Sequence, residues 1–472
     1  MQATDPSAVV GRLLRQAGSA FGGGRHRDAL GLYESALVLE PANEIALFGA
    51  ASCLHALGEL PRAARMFERL ADSHPRKVMY RYNQGYSLLL DAQYDAAARV
   101  LGECNGRIDD PHVKANLAIA LQYATERDLE TAGKLLEQAA SALPNDSDVQ
   151  RNLGLLRLLA GDYESGWRLH ERRATLQSAV ASTSAPLWRG ESLAGTTLLL
   201  WHEQGLGDSL QFVRYLPLVA RRAQAEGGTV LFQPPPSLYR LFALSFADLA
   251  PGLTVLPPER QITSFDSHCS LLSLPERMHT MLATVPAEMP YLHADPAATA
   301  EWRQRLGADR RVKVGLVWGS DSRSGSTAIA RQAYARRSLT LEQMRPLFAI
   351  TGVVYCSLQK GEPAAQAQAM AGRDNFVDLT GGITDFADTA ALAANLDLIV
   401  TVDTSVCHLA GGLGLETWLL NRRDACWRWL VGRADSPWYP TLIQYRQSTQ
   451  GEWGDVVACV AQDLQARSTA NG

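Results

Sequence analysis

The feature that most restricts how this chain can fold is a period of 34 in its first third. Gly24, Ala29, Tyr33 and Pro41 recur as Gly58, Ala63, Phe67 and Pro75, each 34 positions later. The segments GRHRDALGLYESALVLEP and GELPRAARMFERLADSHP show the logic. A small Ala or Gly lets two helices approach, an aromatic ring fills the gap beside it, and Pro stops the second helix. Such a unit buries its apolar face only against its neighbours, so a single globular core is excluded for this part of the chain.

The pattern continues through Tyr94 and Ala97, then Leu129, Ala132 and Pro144, and ends with Gly161, Tyr163 and Gly166 in GDYESGW. This gives about four or five helical pairs, and 34 residues is the length of a tetratricopeptide unit. The expectation is an α-solenoid over residues 8–173, with an elongated concave surface suited to a peptide or protein partner.

The grammar then changes. The polar SAVASTS sits within an expected connector at 174–192, and none of the ten tryptophans precedes Trp167. From Thr196 onward, short apolar runs alternate with helical spacing: TTLLLW, then SLQFVRYLPLVARRA, then GTVLFQ. The alternation restarts at VKVGLVW and continues through VVYCSLQ, DFADTAALAANL, DLIVTV and ETWLLN. Alternating strands and helices imply parallel sheets covered on both faces. The expected lobes span 193–305 and 306–466, two Rossmann-like α/β units with a cleft between them.

Charge narrows the partners. Lys and Arg total 45 against 49 Asp and Glu, a net of −4, so nothing draws the chain generally to nucleic acid or anionic lipid. No apolar run approaches the ~18 residues of a membrane span, and the start lacks a basic stretch followed by an apolar core; the expected location is cytoplasmic. Seven cysteines are scattered without a CxxC pair, which favours packed thiols over a disulfide framework or a zinc site, and no metal is expected. GLGD lacks the GK[ST] ending of a P-loop and falls short of GxGxxG, which disfavours a nicotinamide dehydrogenase.

Ligands of open α/β sheets gather beyond the carboxyl ends of strands, where helices present amide-rich N-termini. Three loops qualify. In His202-Glu203-Gln204-Gly205-Leu206-Gly207-Asp208, the loop glycines Gly205 and Gly207 permit a tight turn and close approach of a ligand. Asp208 either caps the next helix or takes a proton from an attacking hydroxyl, with Glu203 nearby to support that basicity. In Asp403-Thr404-Ser405, hydroxyls and free amides suit a diphosphate as well as they suit an ordinary helix cap. His408, one turn on, either faces a ligand or is a buried, hydrogen-bonded core residue. In Ser357-Leu358-Gln359-Lys360-Gly361, Lys360 is either a phosphate contact or a solvated surface charge. The basic stretch RQAYARR follows the loop SDSRSGSTAIA and brings Arg336 and Arg337, either to close over an anion or to form an exposed turn. Trp427, Trp429 and Trp438 either stack on a base or sugar or, the favoured reading, serve core and interlobe packing.

HEQGLGDSLQFVRYLPLVA and TVDTSVCHLAGGLG, with SLQKG between them and DSPWYPT near the end, resemble the bacterial tetratricopeptide-repeat glycosyltransferases. That family is heptosyltransferase-like and shares its domain plan with the protein O-GlcNAc transferases. The resemblance covers about residues 10 to 455. It implies a GT-B fold, an acceptor-side first lobe and a second lobe for the nucleotide-sugar, with no metal and no cofactor, since the nucleotide-sugar is a substrate. Asp208 falls on the family's catalytic base. Asp403, Thr404, Ser405 and His408 fall on its donor-phosphate motif, and Lys360, Gln359, Arg337 and Trp318 are the further donor contacts it suggests. After Gly414 this chain has Leu415-Glu416-Thr417-Trp418 where the family commonly has Arg-Pro-Val-Trp or Lys-Pro-Val-Trp.

The function that follows is inverting, metal-independent transfer of a sugar from a nucleotide-sugar to a hydroxyl. The expected acceptor is a protein recruited by the repeats, with surface or flagellar proteins the implied class. The alternative is a noncatalytic adaptor, in which the repeats bind partners and the glycosyltransferase domain is degenerate.

Overall fold

The computed structural model describes residues 6–173, 176, 184–262, 264–320 and 327–470. SAVASTS, apart from Ser184, and residues 321–326 of the SDSRSGSTAIA loop therefore lie outside the described residues. The chain divides into two compact units. Among the described residues, one takes in 6–156 and 327–333 and the other those from 157 to 320 and from 334 to 470.

The N-terminal part is a helical repeat solenoid. Its helices are α1 (Pro6–Gly22), α2 (His26–Leu39), α3 (Glu44–Ala56), α4 (Leu60–Ser73), α5 (Val78–Leu90), α6 (Tyr94–Asn105), α7 (Pro111–Tyr123), α8 (Leu129–Ala142), α9 (Ser147–Leu159) and α10 (Tyr163–His170). The small residues that mark the period, Ala29, Ala63, Ala97 and Ala132, have no exposed surface, and Tyr33 and Phe67 are buried beside them. Side-chain caps start several helices: Asn43 accepts from Ala46 N–H, Asp110 from Val113 N–H and Asp128 from Thr131 N–H. The turn joining each pair repeats as well. Gly24 and Gly58 have φ of 75° and 79°, and Ala92, one period further, takes φ 61° where glycine would be unstrained.

The second unit takes in the last residues of α9 and the whole of α10 and is otherwise built on two parallel sheets. The first has the order β3-β2-β1-β4, from β1 (Thr197–Trp201), β2 (Thr229–Gln233), β3 (Leu253–Val255) and β4 (Ser267–Ser270). The second has the order β10-β9-β8-β5-β6-β7, from β5 (Val312–Val317), β6 (Val353–Ser357), β7 (Phe376–Asp378), β8 (Leu398–Val402), β9 (Thr417–Asn421) and β10 (Leu442–Arg446). Every strand of β6, β8 and β9 is buried along its whole length, which is why they read as unbroken apolar runs rather than alternating ones.

Strand order reverses twice. β1 has β2 on one side and β4 on the other, and β5 has β6 on one side and β8 on the other. At such a reversal the connecting helices leave on opposite faces and open a crevice at the strand ends. The loop after β1 is HEQGLGD and the loop after β8 is Asp403-Thr404-Ser405, so both singled-out motifs stand at reversal points.

The sequence expectation placed all the repeat helices, to residue 173, in one domain. In the structure α10 is grouped with the sheets. Its Tyr163 and Trp167 rings pack against Trp427 and Trp438, contacts that the repeat period does not encode.

Candidate functional site

β1 ends at Trp201, and the chain turns through Gln204, with φ of 62°, into α11 (Leu206–Phe212). Gly205 N–H donates to Asp208 Oδ2 at 2.8 Å, so the carboxylate reaches back and secures the start of its own helix. Its other oxygen, Oδ1, accepts from Arg428 Nη2. Asp208 thus has the capping role read from its position, and it also has a cationic partner 220 residues away in sequence.

On the other sheet, β8 ends at Val402 and leads into α12 (Ser405–Gly412). Thr404 stands at the N-cap in extended conformation, and its side chain makes no capping hydrogen bond. The Thr404 carbonyl accepts from Cys407 N–H at 3.1 Å, and the amides of Ser405 and Val406, which precede it in the first turn, receive no side-chain cap from Thr404.

The two helix starts meet. A methyl group on Gly207 would lie 2.8 Å from His408 Cδ2 and 3.6 Å from the Ser405 Cα, so only glycine permits the approach. The GLGD motif and the DTS motif are parts of one place.

His408 is buried. Its Nδ1 pairs with the Tyr439 hydroxyl at 2.8 Å, and its ring stacks on Trp429 with centroids 5.5 Å apart. Burial pushes its pKa from 6.5 down to about 3. His408 is thus a buried, hydrogen-bonded residue at the meeting of the two helix starts. The unfolded chain binds a proton near pH 6.5 that the folded chain refuses until about pH 3, so the stabilising contribution is complete above 6.5 and lost as pH falls towards 3. We expect His408→Gln to flatten the fall in stability between pH 7 and pH 5, measured by urea unfolding, by at most about 1.4 kcal/mol per pH unit. Identical slopes for both proteins would refute the assignment.

Arg428 is the central cation. Its Nε donates to Gln211 Oε1, its Nη1 reaches Cys426 Sγ at 3.0 Å, and its guanidinium lies 4.6 Å from the Trp427 ring and 5.7 Å from the Phe212 ring. Arg337 also arrives at the strand ends, with Nη1 3.3 Å from the Asp403 carbonyl and the guanidinium 4.4 Å from the Tyr334 ring. Asp403 lies within electrostatic reach of both His408 and Arg428.

Other expected site residues are engaged elsewhere. Glu203 is buried and accepts from Arg173 Nε at 2.8 Å and from Ser270 Oγ. It is a counter-ion of buried Arg173, which Glu171 also pairs at 2.7 Å, rather than a support for Asp208. Trp318 has no exposed surface and belongs to the core of the six-stranded sheet. The Gln359 amide accepts from Trp318 N–H at 3.0 Å and Gly319 N–H at 2.8 Å and donates to the Gly319 carbonyl, so it replaces ladder partners at a strand end. Lys360 Nζ donates to the Thr380 and Ile383 carbonyls at 3.0 and 3.1 Å. Of these three expected donor contacts, Gln359 and Lys360 hold backbone in place and Trp318 packs the core. Trp427, Trp429 and Trp438 are buried, as their packing reading requires.

Sequence reasoning missed Arg428 and Arg214. Arg214 is buried without a carboxylate among its hydrogen-bond partners. It donates to the carbonyls of Gln211, Pro286 and Trp438 and lies within 5.3 Å of the Tyr291, Trp438 and Tyr439 rings. The available signal was an arginine inside an apolar helical run, LQFVRYLPLV, and another between two tryptophans, WRW.

A family model of the tetratricopeptide repeat matches residues 20–81. The N-terminal helices are tetratricopeptide repeats. Among curated proteins, Protein FlbA of Caulobacter vibrioides is 26% identical over 336 residues, which are 65% of this chain and 53% of FlbA. Intraflagellar transport protein 70B of Rattus norvegicus is 32% identical over 169 residues, 34% of this chain and 24% of that protein. The chain thus spans about half the length of FlbA and a quarter of the intraflagellar transport protein. Among solved structures, MamA from Desulfovibrio magneticus RS-1 is 19% identical, with a TM-score of 0.32, and covers 38% of this chain and 98% of its own. Among the described residues no helix is long and apolar enough to cross a membrane, and no group of three or more His, Cys, Asp or Glu side chains could hold a metal ion.

Proposed function

We propose that this chain recruits a protein through its repeats and that its α/β unit transfers a sugar to a hydroxyl on that protein. Recruitment is supported by the tetratricopeptide match and by the likeness to FlbA and the intraflagellar transport proteins. Transfer is favoured by one observation: the carboxylate loop of one parallel sheet and the uncapped helix start of the other converge at Gly207, His408 and Ser405.

On this reading the α/β unit is of the GT-B type. The donor's diphosphate lies against the first turn of α12, where amides and the hydroxyls of Thr404 and Ser405 offset its charge without a metal. Asp208 takes the proton of the acceptor hydroxyl as its oxygen attacks the anomeric carbon. The bond from that carbon to the diphosphate oxygen breaks, the nucleoside diphosphate leaves with the electron pair, and configuration inverts. Covalent linkage of the repeats to the catalytic unit raises the effective concentration of the bound acceptor.

The deciding experiment is thermal unfolding with UDP, GDP, ADP and CDP. A ligand at a hundred times its Kd stabilises by about 2.7 kcal/mol, so at least one of the four is expected to raise the melting temperature by several degrees. No shift with any of them would leave the noncatalytic adaptor as the function.

A further inference from the structure

We infer that Arg428 exchanges partners during the reaction cycle: it pairs with Asp208 and, when donor binds, passes one arm of its guanidinium to the diphosphate, freeing the carboxylate to act as base. This rests on the transferase reading above.

The geometry of the guanidinium supports the exchange. Nε is held by Gln211, Nη1 by Cys426, and the plane lies near two aromatic rings. Only Nη2 is committed to Asp208, so the partner can change without moving the rest of the side chain. Asp208 can also be released without losing its helix, because its second oxygen keeps the Gly205 amide.

Charge supplies the driving force. A carboxylate and a diphosphate compete for the same guanidinium, and the diphosphate carries more charge and more acceptor oxygens. The Gly207–His408–Ser405 contact brings the helix carrying Asp208 against the uncapped start of α12, so both competitors are within reach of one region. The arrangement also keeps the base engaged until donor is bound, which guards against idle proton transfer.

The exchange makes a prediction of opposite signs for the two partners of one ion pair. If Arg428 must leave Asp208 to bind diphosphate, Asp208→Asn removes the competitor and tightens binding of a nucleoside diphosphate, by about tenfold. Arg428→Met removes the ligand group and weakens binding by about tenfold or more. Arg428→Lys is expected to fall between wild type and methionine, since a point charge cannot reproduce the fork. A purely structural ion pair would shift both sets of variants in the same direction.

Isothermal titration of the full chain with UDP, GDP, ADP and CDP decides the matter, using wild type, the three single variants and the double variant Asp208→Asn with Arg428→Met. Tightening in the first, weakening in the second and no tightening in the double variant would support the exchange. Should Arg428→Met fail to fold, Arg428→Lys and Asp208→Asn still provide the sign comparison. Binding by wild type with equal or weaker binding by Asp208→Asn overturns the exchange and leaves the transferase reading intact. No binding of any of the four by wild type overturns both.

Discussion

Trp438→Ala is expected to cost the second unit about 3–5 kcal/mol, as truncations of large buried aromatics do. Trp438 has no exposed surface and is surrounded by rings: it stacks on Tyr163 at 6.1 Å and meets Phe212, Trp427 and Trp167 edge-on at 5.9, 6.0 and 6.3 Å. Its indole N–H donates to the Tyr163 hydroxyl at 3.2 Å, so alanine leaves both a cavity and a buried hydroxyl short of a donor. The same site ties α10 to the loop before β10, which makes local collapse around the gap difficult. Trp438→Phe keeps much of the ring area and loses the hydrogen bond, and about 1–2 kcal/mol is expected. Urea unfolding followed by tryptophan fluorescence reads the second unit alone, because all ten tryptophans lie from Trp167 onward. A loss below 1 kcal/mol for alanine would show that the aromatic cluster is not a unit of stability.

The repeat region was open to reading from the chain because its determinants are local. Gly58, Ala63 and Phe67 lie within one helical pair, and their period carries over to the next. Parallel sheets were legible for a similar reason: fully buried strands must be apolar runs, and β8, LIVTV, is one. Polar residues at strand ends were not assignable. Such a side chain either meets a ligand or satisfies backbone groups that have run out of ladder partners, and the same spacing serves both. Lys360 and Gln359 took the second course, and Glu203 was claimed by Arg173, 30 residues earlier. Asp208 was recognised through its helix start, but its partner Arg428 comes from a turn 220 residues later and bears no periodic relation to it. The same distance effect groups α10 with the sheets, since its aromatic partners lie more than 250 residues further along the chain.

On the proposed transferase reading, the largest functional effect is expected from Asp208→Asn, which should lower the rate of sugar transfer by about a hundredfold to ten-thousandfold, the range general bases contribute. The substitution is nearly isosteric, and the side-chain amide oxygen can still accept from Gly205 N–H, so the start of α11 and the contact at Gly207 should persist. What is lost is the charge that holds Arg428 and that, on the proposed function, takes the acceptor's proton. These two losses act on different quantities. Loss of the base lowers kcat, while release of Arg428 favours the diphosphate and lowers its Kd, so the variant should bind the nucleoside diphosphate better and turn over the nucleotide-sugar worse. A merely structural aspartate would raise both instability and Kd. Single-turnover assays with a nucleotide-sugar panel and a cell extract as acceptor, run beside diphosphate titrations and thermal melts, separate the cases. Wild-type transfer rates in the asparagine variant would remove Asp208 as the base, and the catalytic proton would then need another acceptor at the meeting point of the two helix starts.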